Sequence, residues 1–329
     1  MPIKRGFSSL SRRDALSTIV AAGLGIHIES HAQTGGVVKL ILPVSAGSGV
    51  DAIVRAASNA LGKALGQTVV IENQPGAGGV VGTAAMIKSV PDGSTLSFVS
   101  NNHVIYPSVL KSVPFDPVGD ITAISLVAIS PMILVVNPKL PATTLREFIA
   151  LLKASPGKYN FASSGNGTIL HLAAELFKDA AGVFSTHIPY RGFGPMITDI
   201  MGGQVDWGVG ALPAVVGQIK AGTVRALCIA SAGRNTAIPD VPTSAEVGLP
   251  AFEIGGWSAV VGPKGMPADV VKRLNAAVRT AFETPEVKEA MLKQGNTITL
   301  STPEVAQAYF RTEMQRYAAL VKKAGVELQ

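Results

Sequence analysis

The loop from residue 43 to residue 51 has the composition of an anion-binding site. It follows an apolar run and precedes a helical pattern, so it ends at a helix N-terminus, which has unpaired N–H groups and a partial positive charge. Its glycines let the backbone approach a ligand closely, and its serine hydroxyls add hydrogen-bond donors. Asp51 lies in the first helical turn, where it is expected to cap the helix or, alternatively, to accept from a ligand ammonium group. The candidate ligand-binding residues of this loop are Val44, Ser45, Ala46, Gly47, Ser48 and Asp51.

A second loop, from residue 162 to residue 168, repeats this arrangement. It also joins a β-rich run to a helical pattern, and it is rich in serine and glycine. We therefore expect two helix N-termini to face one anion, a carboxylate or a phosphate, from opposite sides. The candidate residues of this loop are Ser163, Ser164, Gly165, Asn166 and Thr168.

Four further residues complete the candidate site. Gly78 lies in a loop with three glycines in four residues, and Asn101 follows a predicted strand and offers both a donor and an acceptor. Arg191 is expected either to pair with a second carboxylate or to form a surface ion pair. Asp206 either lies near the ligand or pairs with a neighbouring helix. His171 and His187 are assigned structural roles.

The first loop also matches a dinucleotide-binding pattern. Gly47-x-Gly49-x-x-Ala52 has the G-x-G-x-x-A form, and Glu72 follows the loop at about 20 residues. In a true fingerprint, however, the first glycine lies directly at the strand end, whereas several residues precede Gly47. An exported dinucleotide-binding oxidoreductase is therefore the alternative function.

Composition argues against several other functions. The formal net charge is +6, but the sequence has no dense Lys/Arg run, so nucleic acid is not an expected partner. The sequence contains no G-x-S-x-G or H-E-x-x-H motif and no Cys/His metal spacing. We therefore expect neither catalysis nor a cofactor nor a metal. The single cysteine, Cys228, lies in an apolar run and is expected to be a small buried hydrophobe.

Residues 1–32 have the pattern of a cleaved export signal. Basic residues precede an apolar run at 19–28, which is too short to span a bilayer, and a small-x-Ala cleavage pattern ends at Ala32. The sequence Ser-Arg-Arg-x-x-Leu at 11–16 resembles a twin-arginine signal, although the general secretory route is an equal alternative. Either route predicts a periplasmic protein.

The elements that hold the candidate loops alternate between short β-rich runs and helical stretches. The apolar run at 37–42 predicts a buried strand, and apolar positions at helical spacing predict a helix at 50–65. Two apolar runs follow at 121–129 and 132–136, and a further strand is predicted at 205–209. This β-α-β order predicts parallel sheets with right-handed crossovers, and therefore an α/β fold.

With 329 residues, the chain is long enough for two such domains. The predicted organisation is the export signal at 1–32, a first domain at 33–130 plus 258–329, and a second domain at 131–257. The chain then crosses twice between two doubly wound domains. Ligands of open parallel sheets bind beyond the carboxyl ends of the strands, so the candidate loops are expected to border a central cleft.

Seven runs of the sequence match one known family. The longest, at 239–250, reads PDVPTSAEVGLP. The others lie at 43–51, 72–79, 91–96, 164–167, 171–175 and 187–192. Together they span nearly the whole mature chain and resemble the substrate-binding proteins of tripartite tricarboxylate transporters, also called the Bug or TctC family.

The resemblance implies a two-lobed periplasmic-binding-protein fold of the type II kind, which closes on a small carboxylate. The implied ligands are di- or tricarboxylates, acidic amino acids or aromatic acids. The implied partners are membrane transporter subunits or, for a sensing role, a kinase ectodomain, and we expect a monomer. The first loop departs from the family pattern, because Val44 replaces a usual aromatic and Ser48 a usual second glycine. This departure is expected to alter ligand preference.

Overall fold

The computed structural model describes residues 36–326 and residue 328. The predicted export signal at 1–32, with its twin-arginine pattern and its cleavage site, lies outside these residues. Among the described residues, no helix combines the length and the apolar character that crossing a membrane requires.

Strands and helices alternate through the first part of the described chain. In order, its elements are β1 Val37–Leu42, α1 Gly49–Leu65, β2 Thr68–Asn73, a 3-10 turn Ala77–Gly79, α2 Val80–Ile87, β3 Thr95–Ser100, α3 Asn102–Val109 and β4 Ile121–Val136. The strand predicted at 37–42 and the helix predicted at 50–65 are confirmed, the helix beginning one residue earlier than expected.

The alternation continues to the end of the chain. The next elements are α4 Leu145–Ala154, β5 Asn160–Ser163, α5 Ile169–Ala181, β6 Thr186–Pro189, α6 Phe193–Gly202, β7 Trp207–Ala211, α7 Leu212–Lys220 and β8 Arg225–Ile229. They are followed by β9 Gly255–Pro263, α8 Ala268–Glu283, α9 Pro285–Lys293, β10 Thr297–Ile298 and α10 Pro303–Lys323.

The residues at the two ends of helix α1 explain where it begins and ends. The hydroxyl of Ser48 caps its N-terminus by accepting a hydrogen bond from the Asp51 N–H at 3.3 Å. Gly66 ends the helix in a left-handed conformation with φ of 65°, which glycine adopts without steric cost. The buried face of the helix, with Ile53 and Leu61, packs in one apolar cluster with strand β1. The N-terminus of α1 is thereby fixed at the end of the first candidate loop.

The strands form a mixed sheet in the order β2-β1-β3-β9-β4-β7-β5-β6, and β8 and β10 both pair with β4. β1 runs parallel to β2 and β3, and β5 runs parallel to β6 and β7, as the β-α-β pattern predicts. β4 and β9, which lie outside these β-α-β units, run antiparallel to their neighbours, so the sheet as a whole is mixed. The segment that leads into β9 contains the irregular Pro-rich stretch at 238–250 and no crossover helix. Parallel neighbouring strands require such a crossover, so β9 can run antiparallel.

Strand β4 connects the two ends of the sheet. The two apolar runs predicted at 121–129 and 132–136 are one strand of 16 residues that continues through Pro131. Its first part pairs with β9, and its last five residues pair with β7. The predicted domain boundaries at 130/131 and 257/258 thus fall inside β4 and β9, and the described residues group into one contact unit. Those boundaries stay a prediction.

Cys228, the one cysteine of the sequence, lies in β8 and is fully buried. Burial raises the pKa of its thiol to about 12. The prediction of a buried hydrophobic cysteine is confirmed, and a protonated, buried thiol is unreactive.

Candidate functional site

A cavity of about 660 Å³ lies beyond the carboxyl ends of β1, β2, β3, β5, β6 and β7. Each of these strands is followed by a loop or a sharp turn into a helix, and residues of all six connections line the cavity. β1, β2 and β3 run parallel to one another, whereas β5, β6 and β7 run in the opposite direction, because three antiparallel pairings separate β3 from β7. The carboxyl ends of the two sets of strands therefore meet at the cavity from opposite directions. Segments far apart in the sequence therefore meet here.

Ten of the fifteen predicted site residues line this cavity. They are Val44, Ser45, Ser48, Gly78, Asn101, Ser164, Gly165, Asn166, Thr168 and Arg191. The other five do not line it. They are Ala46, Gly47, Asp51, Ser163 and Asp206. Both candidate loops therefore border the same cavity, but some residues of each loop do not line it.

Asp51 braces the first loop and does not face the cavity. Its buried carboxylate accepts hydrogen bonds from the Gly47 N–H at 2.9 Å, from Arg55 Nε at 2.9 and 3.0 Å, and from Asn73 Nδ2 at 3.0 Å. Burial acts to raise the pKa of Asp51, but these hydrogen bonds outweigh it and hold the pKa below its ordinary value. The expected capping role is supported, whereas the predicted contact with a ligand ammonium group is not, because these acceptor sites are already occupied.

The remaining residues outside the cavity wall have structural explanations. Asp206 Oδ2 accepts from the N–H of Asn160 at 2.7 Å, and Asn160 begins β5, so Asp206 lies at the amino end of that strand, opposite the cavity. Ala46 and Gly47 are exposed, and Gly47, with φ of 78°, turns its N–H toward Asp51. Ser163 is fully buried, and its Oγ lies 2.6 Å from His187 Nε2.

The first loop brings the N-terminus of α1 to the cavity. Gly49 and Val50, the first residues of that helix, line the cavity, and N–H groups at this position have no intrahelical partner. Ser45 connects this loop to the opposite wall, since its Oγ accepts from the N–H of Phe193, the first residue of α6, at 3.0 Å.

The second loop brings the N-terminus of α5 to the same cavity. Ser164 Oγ donates to Thr168 Oγ1 at 3.1 Å, and Thr168 Oγ1 donates to the carbonyl oxygen of Gly165 at 2.7 Å. Gly165 and Gly167 have φ values of 136° and 68°, which side-chain-bearing residues rarely adopt. Ile169 and Leu170 of the first helical turn also line the cavity. The two helix N-termini therefore converge on one space, as predicted.

Asn102 joins three segments of the cavity wall. It was not among the predicted site residues, although its neighbour Asn101 was. Asn102 Nδ2 donates to the carbonyl oxygen of Gly78 at 3.1 Å, and its Oδ1 accepts from the N–H of Ile169 at 2.9 Å. Asn101 donates to the carbonyl oxygen of Gly255 at 3.2 Å and accepts from the N–H of Trp257 at 3.0 Å. The amides of both residues hold backbone segments in place. The adjacent Asn-Asn pair after a strand was the available signal for both.

Most of the remaining wall is apolar, and sequence reasoning missed this part of it. Its residues come from distant segments and include Ile53, Met132, Leu170, Phe193 and Trp257. Trp257 Nε1 donates to the buried carboxylate of Glu313 at 3.0 Å, so the indole has a polar partner on helix α10. Among the residues that line the cavity in the described chain, Arg191 alone carries a formal charge, and it is exposed.

Comparisons of the sequence with known proteins identify relatives over most of its length. The sequence profile of the tripartite tricarboxylate transporter family receptor, TctC, matches residues 53–326. BugT of Bordetella pertussis is 36% identical to this chain over 313 residues, which cover 94% of this chain and 96% of BugT.

Two solved structures extend the comparison to the fold. The periplasmic binding protein BugD matches with a TM-score of 0.86 and 32% identity, over 89% of this chain and 99% of BugD. The structure of R. palustris Rpa4515 with adipate matches with a TM-score of 0.86 and 29% identity, over 90% of this chain and 99% of Rpa4515. The resemblance that the seven sequence runs indicate is therefore confirmed. The chain belongs to the tripartite tricarboxylate transporter receptor family, TctC, and has the α/β fold of its periplasmic binding proteins.

Proposed function

We propose that the protein is a periplasmic solute-binding protein that captures a small carboxylate in this cavity and delivers it to a tripartite tricarboxylate transporter. The observation that carries the proposal is the convergence of the N-termini of α1 and α5 on one cavity. Their unpaired N–H groups and partial positive charges stabilise an anion that sits between them. The adipate bound by the similar protein Rpa4515 supports a carboxylate. No chemical reaction on the ligand is proposed.

The charges on the wall favour some carboxylates over others. Arg191 offers an ion-pair partner to a second carboxylate. No acidic residue is among those that line the cavity in the described chain, so an ammonium group buried there would lack a charged partner. The apolar wall that includes Met132 and Trp257 suits an alkyl or aromatic body. We therefore expect dicarboxylates and aromatic acids to bind more tightly than acidic amino acids.

A thermal-shift screen of the purified protein tests the ligand class. Adipate, citrate, benzoate and glutamate are compared at matched concentration and pH, with a nicotinamide dinucleotide as the control compound. A ligand present at about 100 times its Kd adds about 2.7 kcal/mol to the free energy of unfolding, which raises the Tm measurably. Stabilisation by the dinucleotide and by none of the acids would overturn the proposal in favour of the oxidoreductase alternative.

The geometry of the first loop gives that alternative no support. Gly47, the first glycine of the dinucleotide-like pattern, does not line the cavity, and its N–H already donates to Asp51 Oδ2 at 2.9 Å. A phosphate at a helix N-terminus binds to free N–H groups, and this one is occupied.

Export and delivery complete the proposal. We propose that residues 1–32 direct the chain to the periplasm by the twin-arginine or the general secretory route and are removed near Ala32, leaving a monomer. Intact-mass measurement of protein isolated from the periplasm tests the cleavage site, and native mass spectrometry tests the monomer. Uptake of a labelled acid that depends on this protein and on transporter membrane subunits would support transport. Binding of the liganded protein to a sensor-kinase ectodomain would instead assign sensing.

A further inference from the structure

Two histidines stack on each other behind the second loop. His171 lies in the first turn of α5 and His187 lies on β6, and their ring centroids are 4.0 Å apart with the rings 9° from parallel. The ring of Phe161 on β5 continues the stack, with its centroid 4.7 Å from that of His187. Neither histidine lines the cavity.

Each histidine of this pair contacts the loop that does line it. His171 Nδ1 accepts the buried N–H of Gly167 at 3.1 Å. His187 Nε2 lies 2.6 Å from Ser163 Oγ, and that hydroxyl also accepts the N–H of Gly165 at 3.2 Å. Gly165 and Gly167 are the two loop residues with positive φ, so the contacts fall where the backbone is most unusual.

We propose that His171 and His187 are positioning residues, which hold the 163–168 loop in its ligand-binding conformation. The proposal deepens the proposed function and rests on it only for the binding measurements, because the position of the loop can be measured without a ligand.

The required protonation state of His171 follows from its contact. Nδ1 must be unprotonated to accept the Gly167 N–H, so in the neutral ring the proton is on Nε2, which lies 3.6 Å from Glu175 Oε1. If Nδ1 also carried a proton, its N–H would face the N–H of Gly167, and two donors cannot form a hydrogen bond. The titratable groups that face His171 are Glu175 and Lys178 on its own helix, with Lys178 Nζ 2.8 Å from Glu175, and His187 on β6.

The pKa of His187 lies well below that of an ordinary histidine. Burial and then the neighbouring His171 lower its pKa to about 4. It therefore stays neutral between about pH 5 and about pH 8, where histidines usually titrate.

A pair of substitutions at His171 separates hydrogen bonding from ring packing. His171→Phe keeps a ring in the stack but removes the acceptor, whereas His171→Asn removes the ring but keeps an acceptor near the position of Nδ1. Leaving the buried Gly167 N–H unpaired is expected to weaken adipate binding about tenfold in His171→Phe, while His171→Asn stays near wild type. Isothermal titration gives both values. The reverse order, with Phe tolerated and Asn impaired, would show that only ring packing matters and would overturn the proposal.

Amide hydrogen exchange of Gly167, measured by NMR without ligand, makes the test independent of the proposed function. We expect faster exchange in His171→Phe than in wild type and His171→Asn at the same pH. This result in a protein that binds no carboxylate would uphold the positioning role while the proposed function fails. Unchanged exchange in a protein that binds adipate would overturn the positioning role alone.

Should His171→Phe not fold, as judged by circular dichroism, His187→Phe and His187→Gln give the same comparison at the Ser163 hydroxyl.

Discussion

The residues that line the cavity include neutral side chains and one charged side chain, and these have different roles. Asn101 and Asn102 have amides that hold backbone segments, so they shape the wall. Ser48 caps α1 and lines the cavity with a hydroxyl that remains able to donate. Arg191 is the one charged side chain among the lining residues that the structure describes. We infer that the neutral groups bind the first carboxylate of a ligand and that Arg191 selects for a second.

This division predicts the effect of Arg191→Gln. Adipate affinity should fall about threefold to tenfold, the range expected from an exposed ion pair worth about 1 kcal/mol, while hexanoate, which has one carboxylate, should bind unchanged. Titration calorimetry with both acids measures the difference. Arg146→Gln, at an exposed position on α4 outside the cavity wall, is the control. An equal loss for both acids would mean that Arg191 acts on the fold and not on the second carboxylate.

Asp51 predicts a pH dependence of stability with a definite sign. Its pKa lies below the ordinary value of 3.8, so the folded state gains stability from the ionised carboxylate above that pH and loses it as the pH falls through the lowered value. Asp51→Asn should lower the free energy of unfolding by about 1–3 kcal/mol at neutral pH, and the difference should shrink in acid. Urea unfolding at several pH values checks this. Glu289→Gln, which breaks an exposed ion pair with Lys293, should change little at any pH.

At the scale of elements, the helix caps combine stability with binding. Ser48 at α1 and Thr144 at α4 both cap through their hydroxyls, but Ser48 alone of the two lines the cavity. The cap of α1 therefore fixes the helix N-terminus on which anion binding depends, whereas the cap of α4 affects only the fold.

Alanine substitutions at these two caps should separate the effects. Ser48→Ala and Thr144→Ala should each lower the free energy of unfolding by about 1 kcal/mol. Binding of adipate should weaken in Ser48→Ala and stay at the wild-type value in Thr144→Ala. Chemical unfolding and calorimetry on the same preparations give both quantities. Weaker binding in Thr144→Ala by the same factor would attribute the effect to general destabilisation.

The sequence predicts individual elements better than their directions. The strand at 37–42 and the helix at 50–65 follow from local periodicity, and both candidate loops follow from strand-to-helix junctions rich in glycine and serine. The apolar run at 121–136 indicates burial but not direction, and Pro131 hides the continuity of β4. The apolar wall around Trp257 depends on long-range pairing, which no local pattern encodes. Asp206 was misplaced although it lies near the start of the strand predicted at 205–209, and ligands do not bind at that end of a strand.

At the scale of the whole molecule, the two predicted domains share strands and core. β4 and β9 pair along most of their length and cross both boundaries. One buried apolar cluster contains Val104 and Phe310 from the predicted first domain together with Phe161 and Trp207 from the second. The halves therefore stabilise each other through main-chain hydrogen bonds and shared packing.

Cutting at the predicted boundaries should consequently disrupt folding. An excised 131–257 fragment would lack the first part of β4 and most of β9 and would expose part of the common apolar cluster, so we expect no cooperative unfolding transition and a tendency to aggregate. Far-UV circular dichroism during urea titration, with the 36–329 chain as reference, checks this. A sharp, reversible transition of the fragment would contradict it and identify separable domains.

The burial of Cys228 has a practical consequence for following ligand capture in solution. Since the only native thiol is inaccessible and protonated at neutral pH, a maleimide dye has no competing target on the folded chain. A cysteine placed at partly exposed Gly194, near the start of α6 and close to the Ser45 contact, would carry one fluorophore beside the cavity. The protein thus offers a ready scaffold for a single-label optical sensor of organic acids, with no native residue to remove first.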